Sequence, residues 1–268
     1  GIQNTFIGGL AGDANTTANN NTAVGKSSLS ATTTGGENTA VGTNALATNT
    51  TASNNTAVGT NALKVNTTGT SNVAVGALAL DANTTASNNT AVGYAAGTAI
   101  TTGTQNTLIG GLAGDALTDA DDNVAIGYAA LTRDTLGSKT VAIGKGVLAN
   151  QNFTSATDTY NTAVGHLAGA EVTTGVQNTL MGGLAGDALT TGGNNVAVGH
   201  NALTTETGAS ASVAIGKEAL RDQNVSSGSS YNVAVGFEAG KLVSTGIQNV
   251  IIGGLAGDAL TDSDYNTV

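Results

Sequence analysis

One spacing constrains this chain more than any other property. A glycine that follows Val, Ile or Met recurs at Gly8, Gly25, Gly42, Gly59, Gly76, Gly93, Gly110, Gly127 and Gly144, and each step (25 − 8, 42 − 25 and so on) is 17 residues. The period continues through Gly165, Gly182, Gly199, Gly216, Gly236 and Gly253, with two longer steps, 165 − 144 = 21 and 236 − 216 = 20. The stretch NTAVGTNAL stands unchanged at Asn38–Leu46 and at Asn55–Leu63. A short fixed period marks a stacked architecture, in which no repeat can bury its apolar face alone. Such a fold grows by adding turns, so the expectation is one array over residues 1–268. Within it, 1–102 read as regular coils and 103–268 as larger repeats of four coils. The G-G-L-A-G-D-A segments at Gly110, Gly182 and Gly253 carry that beat, with 182 − 110 = 72 and 253 − 182 = 71. The opening GIQNTFIGGLAGDA matches Gly246–Ala259, and the final YNTV starts another motif, so the chain is expected to be a fragment of a longer one.

Numbering each turn from its glycine as zero turns the sequence into columns. Column −1 is apolar in every turn, including Val24, Val41, Val58, Val75 and Val92. A column so rich in β-branched residues predicts a strand whose −1 side chains fill the coil interior. Column −2 (Ala23, Ala40, Leu108, Leu180, Ile251) would then point outward and need cover. Identical neighbours could supply it, which predicts a homo-oligomer around the array axis. A monomer with a small Ala face in water is the alternative.

Column −4 is Asn in nearly every turn: Asn21, Asn38, Asn55, Asn72, Asn89, Asn106 and Asn123 lead, with Thr140 and Ser212 as exceptions. Stacked amides about 4.8 Å apart can hydrogen-bond along the array. Column +4 alternates between Leu (Leu29, Leu46, Leu63) and Gly (Gly97, Gly114), a second buried position. Column +8 (Thr16, Thr33, Thr50) predicts a hydroxyl ladder, and the variable column +1 (Lys26, Tyr94, His166, Phe237) a solvent-facing one. Apolar residues do not recur at helical spacing, and Gly, Asn and Thr are poor helix formers. The fold class is therefore all-β, a parallel β-solenoid with 17-residue coils. Fifteen coils at one strand spacing each would extend about 70 Å.

Composition narrows the function. With 39 Gly, no Cys, no Pro, no Trp and 3% aromatic residues, neither a bulky core nor a disulfide or thiolate metal site can form. A net charge of −10 with only 8 Lys and Arg lacks the basic footprint of a nucleic-acid binder. No apolar run approaches the roughly 20 residues that span a bilayer, so no membrane insertion is expected within this segment, and no signal peptide opens it. Catalytic residues and cofactors are expected to be absent. GKSS at Gly25–Ser28 looks like the end of a phosphate loop, but Asn20 stands where its first glycine belongs. The acidic runs at Asp115, Asp119, Asp121 and Asp122 and at Asp258, Asp262 and Asp264 fit no calcium-loop spacing and read as solvated turns. His166 and His200 lie two coils apart, about 9.6 Å, too far to share a metal.

The two long turns, LANQNFTSATDTYN at Leu148–Asn161 and LRDQNVSSGSSYN at Leu220–Asn232, are the candidate contact loops. Phe153, Tyr160, Val225 and Tyr231 are their candidate exposed contacts. The alternative is that each loop only folds over its neighbouring coil.

NVAIG at Asn123–Gly127 and SVAIG at Ser212–Gly216 resemble the N-S-V-A-I-G motif in the head repeats of YadA-type trimeric autotransporter adhesins. NTAVGTNALKVNTTG at Asn55–Gly69 is similar to the NTAVG arrays of phage tail fibres that end in an intramolecular chaperone. The resemblance covers the whole chain. It implies a left-handed parallel β-roll wound by each of three parallel chains, forming an extracellular shaft or head on a virion or cell surface. It also implies contact with a host-surface glycan or protein. The turn is longer than in the adhesin pattern, and no neck, stalk or chaperone is visible. The expected function is a structural and adhesive fibre segment, not an enzyme. Two rivals remain: a self-assembling extracellular filament without a receptor, and an ice-binding solenoid suggested by Thr17, Thr34 and Thr51 beside column +8. Adjacent strand residues face opposite ways, and that second Thr rank lapses at Asp119, Leu136 and Gly208, which weighs against ice.

Overall fold

Val, Ile and Thr beside a glycine favour extended backbone, and each turn of the repeat contributes one short strand. The computed structural model describes residues 1–268, which form two compact units: Gly1–Ser138 with Thr154–Ala156, and Lys139–Phe153 with Thr157–Val268. Both are parallel β-solenoids without helix.

The first unit carries β1 (Thr5–Ile7), β2 (Thr22–Val24), β3 (Thr39–Val41), β4 (Thr56–Val58), β5 (Val73–Val75), β6 (Thr90–Val92), β7 (Thr107–Ile109), β8 (Val124–Ile126) and β9 (Gly137–Ser138). From β1 to β8 every strand pairs in parallel with the next, as in Thr22↔Thr39, Ala23↔Ala40 and Val24↔Val41. The second unit carries β10 (Val141–Ile143), β11 (Thr157–Asp158), β12 (Thr162–Val164), β13 (Thr179–Met181), β14 (Val196–Val198), β15 (Val213–Ile215), β16 (Val233–Val235) and β17 (Val250–Ile252). Its ladder runs unbroken across both longer steps, with Val141↔Thr162 and Val213↔Val233 in register. The extra residues bulge outside the ladder.

The period-defining glycine has a steric cause. Gly42 sits at φ 134°, a region that L side chains rarely adopt, and a Cβ there would lie 2.5 Å from the Gly59 oxygen one coil on. The same approach recurs at Gly59 against Gly76 and, in the second unit, at Gly182 against Gly199.

The Asn ladder forms, with a different rung from amide-to-amide stacking. Asn38 Nδ2 donates to the Ala52 carbonyl at 2.9 Å, and the Asn55 main-chain N–H donates to Asn38 Oδ1 at 3.0 Å. Asn21, Asn55, Asn72, Asn89, Asn106 and Asn123 repeat the first bond at 2.8–2.9 Å. Direct amide-to-amide bonds accompany it at Asn72→Asn55 and Asn106→Asn89. All seven are buried, so each satisfies groups that water cannot reach. The +8 hydroxyls likewise donate to the main chain one coil on, as in Thr16 Oγ1 to the Thr33 carbonyl at 3.0 Å.

The expected inside and outside of the strand are reversed. Column −2 faces the interior, with Ala23, Ala40, Ala57, Ala74 and Leu108 fully buried. Val24, Val41, Val58, Val75 and Val92 are half-buried on the outer face. The reason is volume. Leu29, Leu46, Leu63 and Leu80 at column +4 fill the coil, and only a small residue fits opposite them.

The interior is filled in two ways. Where column +4 is Leu, the buried column +7 is polar: Leu46 with Asn49, Leu63 with Asn66, Leu80 with Asn83. Where it is Gly, column +7 is apolar from Gly97 onward, as in Gly97 with Ile100 and Gly114 with Leu117, whereas the first coil sets Gly12 with Asn15. Column −2 enlarges to Leu108 between those two glycines. A Cβ on Gly97 would meet Leu108 Cδ1 at 2.6 Å, and one on Gly114 would meet Leu108 Cδ2 at 2.8 Å. Leu180 between Gly169 and Gly186, and Ile251 between Gly240 and Gly257, repeat the exchange in the second unit.

Candidate interaction surface

Strand alternation places columns −3 and −1 on one outer face. In the first unit that face shows Thr56 and Val58, Val73 and Val75, Thr107 and Ile109, and in the second Val196 and Val198, Val213 and Ile215. None of these side chains is charged. Ile109 is 37% exposed, Met181 44% and Ile252 62%. Each unit thus carries an outward, β-branched stripe with no cover of its own, a feature monomeric surfaces avoid at this length.

The long-turn residues divide. Phe153 is 7% exposed and belongs to the core, which corrects its expected role as an exposed contact. Val225 is half-buried, held by its main-chain N–H donating to Glu206 Oε2 at 3.0 Å. Tyr160 and Tyr231 are 53% and 57% exposed, each at φ 50° just before its Asn. The second turn folds back on its own unit, with Ser230 N donating to the Ser210 carbonyl at 3.0 Å and Ser210 N to the Gly228 carbonyl at 2.8 Å.

Beneath both turns lies a buried polar network that sequence reasoning missed. Glu206 Oε1 accepts from the main-chain N–H of Gly208 and Ala209, and Oε2 from Gln223 Nε2 and Val225 N, at 2.8–3.0 Å. Gln223 also donates to Ser212 Oγ and accepts from Asn232 Nδ2. Gln151 plays the same part in the first turn, donating to Thr140 Oγ1 at 3.1 Å and accepting from Asn161 Nδ2 at 2.9 Å. The Gln-Asn pair common to both turns was its only sequence signal. Thr140 and Ser212, the two breaks in the Asn column, face these glutamines. A shorter hydroxyl makes room for the Gln amide there.

Beside Tyr160, the Lys139 ammonium bonds Asp158 at 2.5 Å and lies 5.5 Å from the ring centroid. That hydrogen bond holds the Lys139 pKa above, and the Asp158 pKa below, their ordinary values. Near Phe237, Glu218 is depressed to about 2, chiefly by hydrogen bonds from Lys241 and then Lys217. The acidic runs are tied to neighbouring coils: Asp115 accepts from Thr132 Oγ1, Asp119 from Thr102 Oγ1, and Asp121 from Thr104 N and Oγ1. His166 and His200 are exposed. Gly25–Ser28 is the corner after β2, where Ser28 Oγ donates to the Gly25 carbonyl at 3.0 Å and no helix follows. No helix is long and apolar enough to cross a membrane.

The class defined by this geometry is a parallel β-solenoid with laddered Asn and Thr. No family model, no curated protein and no solved structure matches the chain.

Proposed function

We propose that the chain is a segment of a structural and adhesive extracellular fibre. Three parallel copies, each winding left-handed, turn the outer faces of their strands toward one another. The carrying observation is the uncharged stripe of columns −3 and −1, bulky in every turn and half-exposed in a single copy. Burying it between copies removes that apolar surface from water, worth about 25 cal/mol per Å². Small residues on the inner side of each strand and larger apolar ones on its outer side support a covered outer face. The fibre performs no chemistry; it holds recognition elements such as Tyr160 and Tyr231 away from a virion or cell surface to meet a host glycan or protein.

Sedimentation equilibrium tests the assembly. The expected mass is three times that of the chain, and Val58→Asp with Val75→Asp should lower it to the monomer. A wild-type monomer would overturn the reading. Adhesion of labelled protein to cells, lost in Tyr160→Ala with Tyr231→Ala, tests the role of the long turns.

A further inference from the structure

Column +1 of the second unit reads Lys145, His166, Gly183, His200, Lys217 and Phe237, and ends at Gly254. The main chain stacks these residues in line. Leu184 N donates to the His166 carbonyl at 3.0 Å, Asn201 N to that of Gly183 at 3.1 Å and Glu218 N to that of His200 at 2.9 Å. All five side chains in the line are exposed. The chain has 18 acidic and 8 basic residues, yet this line holds two of the lysines and no carboxylate. The adjacent Glu218 and Glu238 are drawn to Lys241, at 2.8 and 3.1 Å. Lys217 Nζ, 3.2 Å from Glu218, also stands 5.5 Å from the Phe237 ring.

Gly183 interrupts the line between two imidazoles. A Cβ there would meet only His200 Cδ2, at 3.5 Å, which is ordinary contact. The fold therefore does not require glycine at this position, and Thr occupies the same column at Thr43 and Thr60. What glycine leaves is an open notch with a ring on either side.

We infer that this line binds an acidic polysaccharide laid along the axis of the unit. The inference rests on the adhesive-fibre reading and names its ligand class. Five steps from Lys145 to Phe237 span about 24 Å, the reach of a short oligosaccharide. Sugar rings present flat faces of positively polarised C–H groups to the electron-rich faces of Phe237 and the imidazoles. Their carboxylates meet Lys145 and Lys217, and one sugar enters the notch over Gly183. An anionic polymer suits a line with two lysines and no carboxylate on a chain whose net charge of −10 disfavours its approach elsewhere.

The test is binding of the full chain to polygalacturonate oligosaccharides and to neutral dextran, by biolayer interferometry at low and high salt. Polygalacturonate should bind and dextran should not, with affinity falling as salt rises. Gly183→Thr, which fills the notch, should weaken binding about tenfold, and Lys145→Ala with Lys217→Ala should do so more. Both variants should keep the wild-type melting temperature and sedimenting mass. Equal binding by the Gly183→Thr chain, equal retention of dextran, or no binding to polygalacturonate overturns the inference. So does cell adhesion that survives enzymatic removal of surface glycans, which would make the ligand a protein. Loss of trimer mass in His200→Ala would turn the line into a contact between copies and overturn it too. A trimeric wild type that fails only these binding arms leaves the fibre reading standing; a monomeric, non-adherent wild type removes that reading itself.

Discussion

In the first unit, the coils from Gly25 to Asn83 and those from Gly93 to Leu117 wind the same backbone around different contents. The former place Leu at +4, a polar residue at +7 and Ala at −2; the latter place Gly, Ile or Leu, and either Ala91 or Leu108. Strand register is identical in both, Thr56↔Val73 continuing to Thr90↔Thr107 without a slip. The backbone course is thus set by what the two regions share, the column 0 glycine and the column −4 Asn. Their interiors are interchangeable solutions to one volume. Leu63 at φ 48° and Gly114 at φ 56° even occupy the same left-handed position, where Leu bears strain that Gly avoids.

The largest effect should come from breaking what is shared. Gly42→Ala forces a Cβ to 2.5 Å from the Gly59 oxygen at φ 134°, and backbone cannot yield there without shifting the next coil. Loss of about 4 kcal/mol or more in urea unfolding is expected. The neighbouring Thr43→Ala should change stability by less than about 0.5 kcal/mol. If Gly42→Ala folds with wild-type stability, the shared glycine does not set the course.

The next effect sharpens the exchange itself. Leu108→Ala should cost about 3 kcal/mol, because Gly97 and Gly114 on either side contribute no side chain to the space it leaves. Gly97→Ala should cost about 2 kcal/mol alone through its 2.6 Å clash with Leu108 Cδ1. Together they should lose less than the sum by more than about 1 kcal/mol, since each relieves the other. Strict additivity in the double-mutant cycle would show that the two columns do not share one volume.

Asn38→Ala should cost about 2 kcal/mol, because it strands the buried Asn55 N–H and removes one of the two side-chain donors to the Ala52 carbonyl, leaving Asn49 Nδ2. Asn66→Ala, which belongs to the variable interior, should cost about 1 kcal/mol, since its Oδ1 already lacks a partner. Reversal of that order in thermal unfolding would put the Leu coils' polar core above the shared ladder.

The period, the strand position and the Asn and Thr ladders were legible in the sequence because each is a one-column property. The sidedness of the strand was not. Val24 and its equivalents are invariably apolar, and invariance alone does not say which side of a strand is dry. Sidedness depends on a relation between columns: −2 becomes Leu108, Leu180 or Ile251 only where +4 is Gly114, Gly186 or Gly257. Only a residue packed inside would track that glycine. Of the candidate contacts, Tyr160 and Tyr231 stood where a tight corner exposes them, whereas Phe153 was buried by a turn that no periodicity describes. Glu206 was invisible for the same reason, its four donors coming from two coils.

The smallest effect distinguishes the two regions at their rims. Asp81, on a Leu coil, has a buried Oδ1 without a partner, and its pKa is raised by burial against the opposing pull of Lys64. Asp115, at the same column on a Gly coil, accepts from Thr132 Oγ1 at 2.6 Å. A carboxyl whose pKa is raised binds its proton more tightly folded than unfolded, so it weakens the fold while ionised. That penalty fades as pH falls through the raised value toward the ordinary 3.8. Asp81→Asn should therefore stabilise at neutral pH by a few tenths of a kcal/mol, partial exposure screening the rest, and the gain should vanish in acid. Asp115→Asn should destabilise by a similar amount at neutral pH through its weakened bond to Thr132. Equal responses in chemical unfolding at neutral and acid pH would mean that the two kinds of coil hold their rim carboxylates alike.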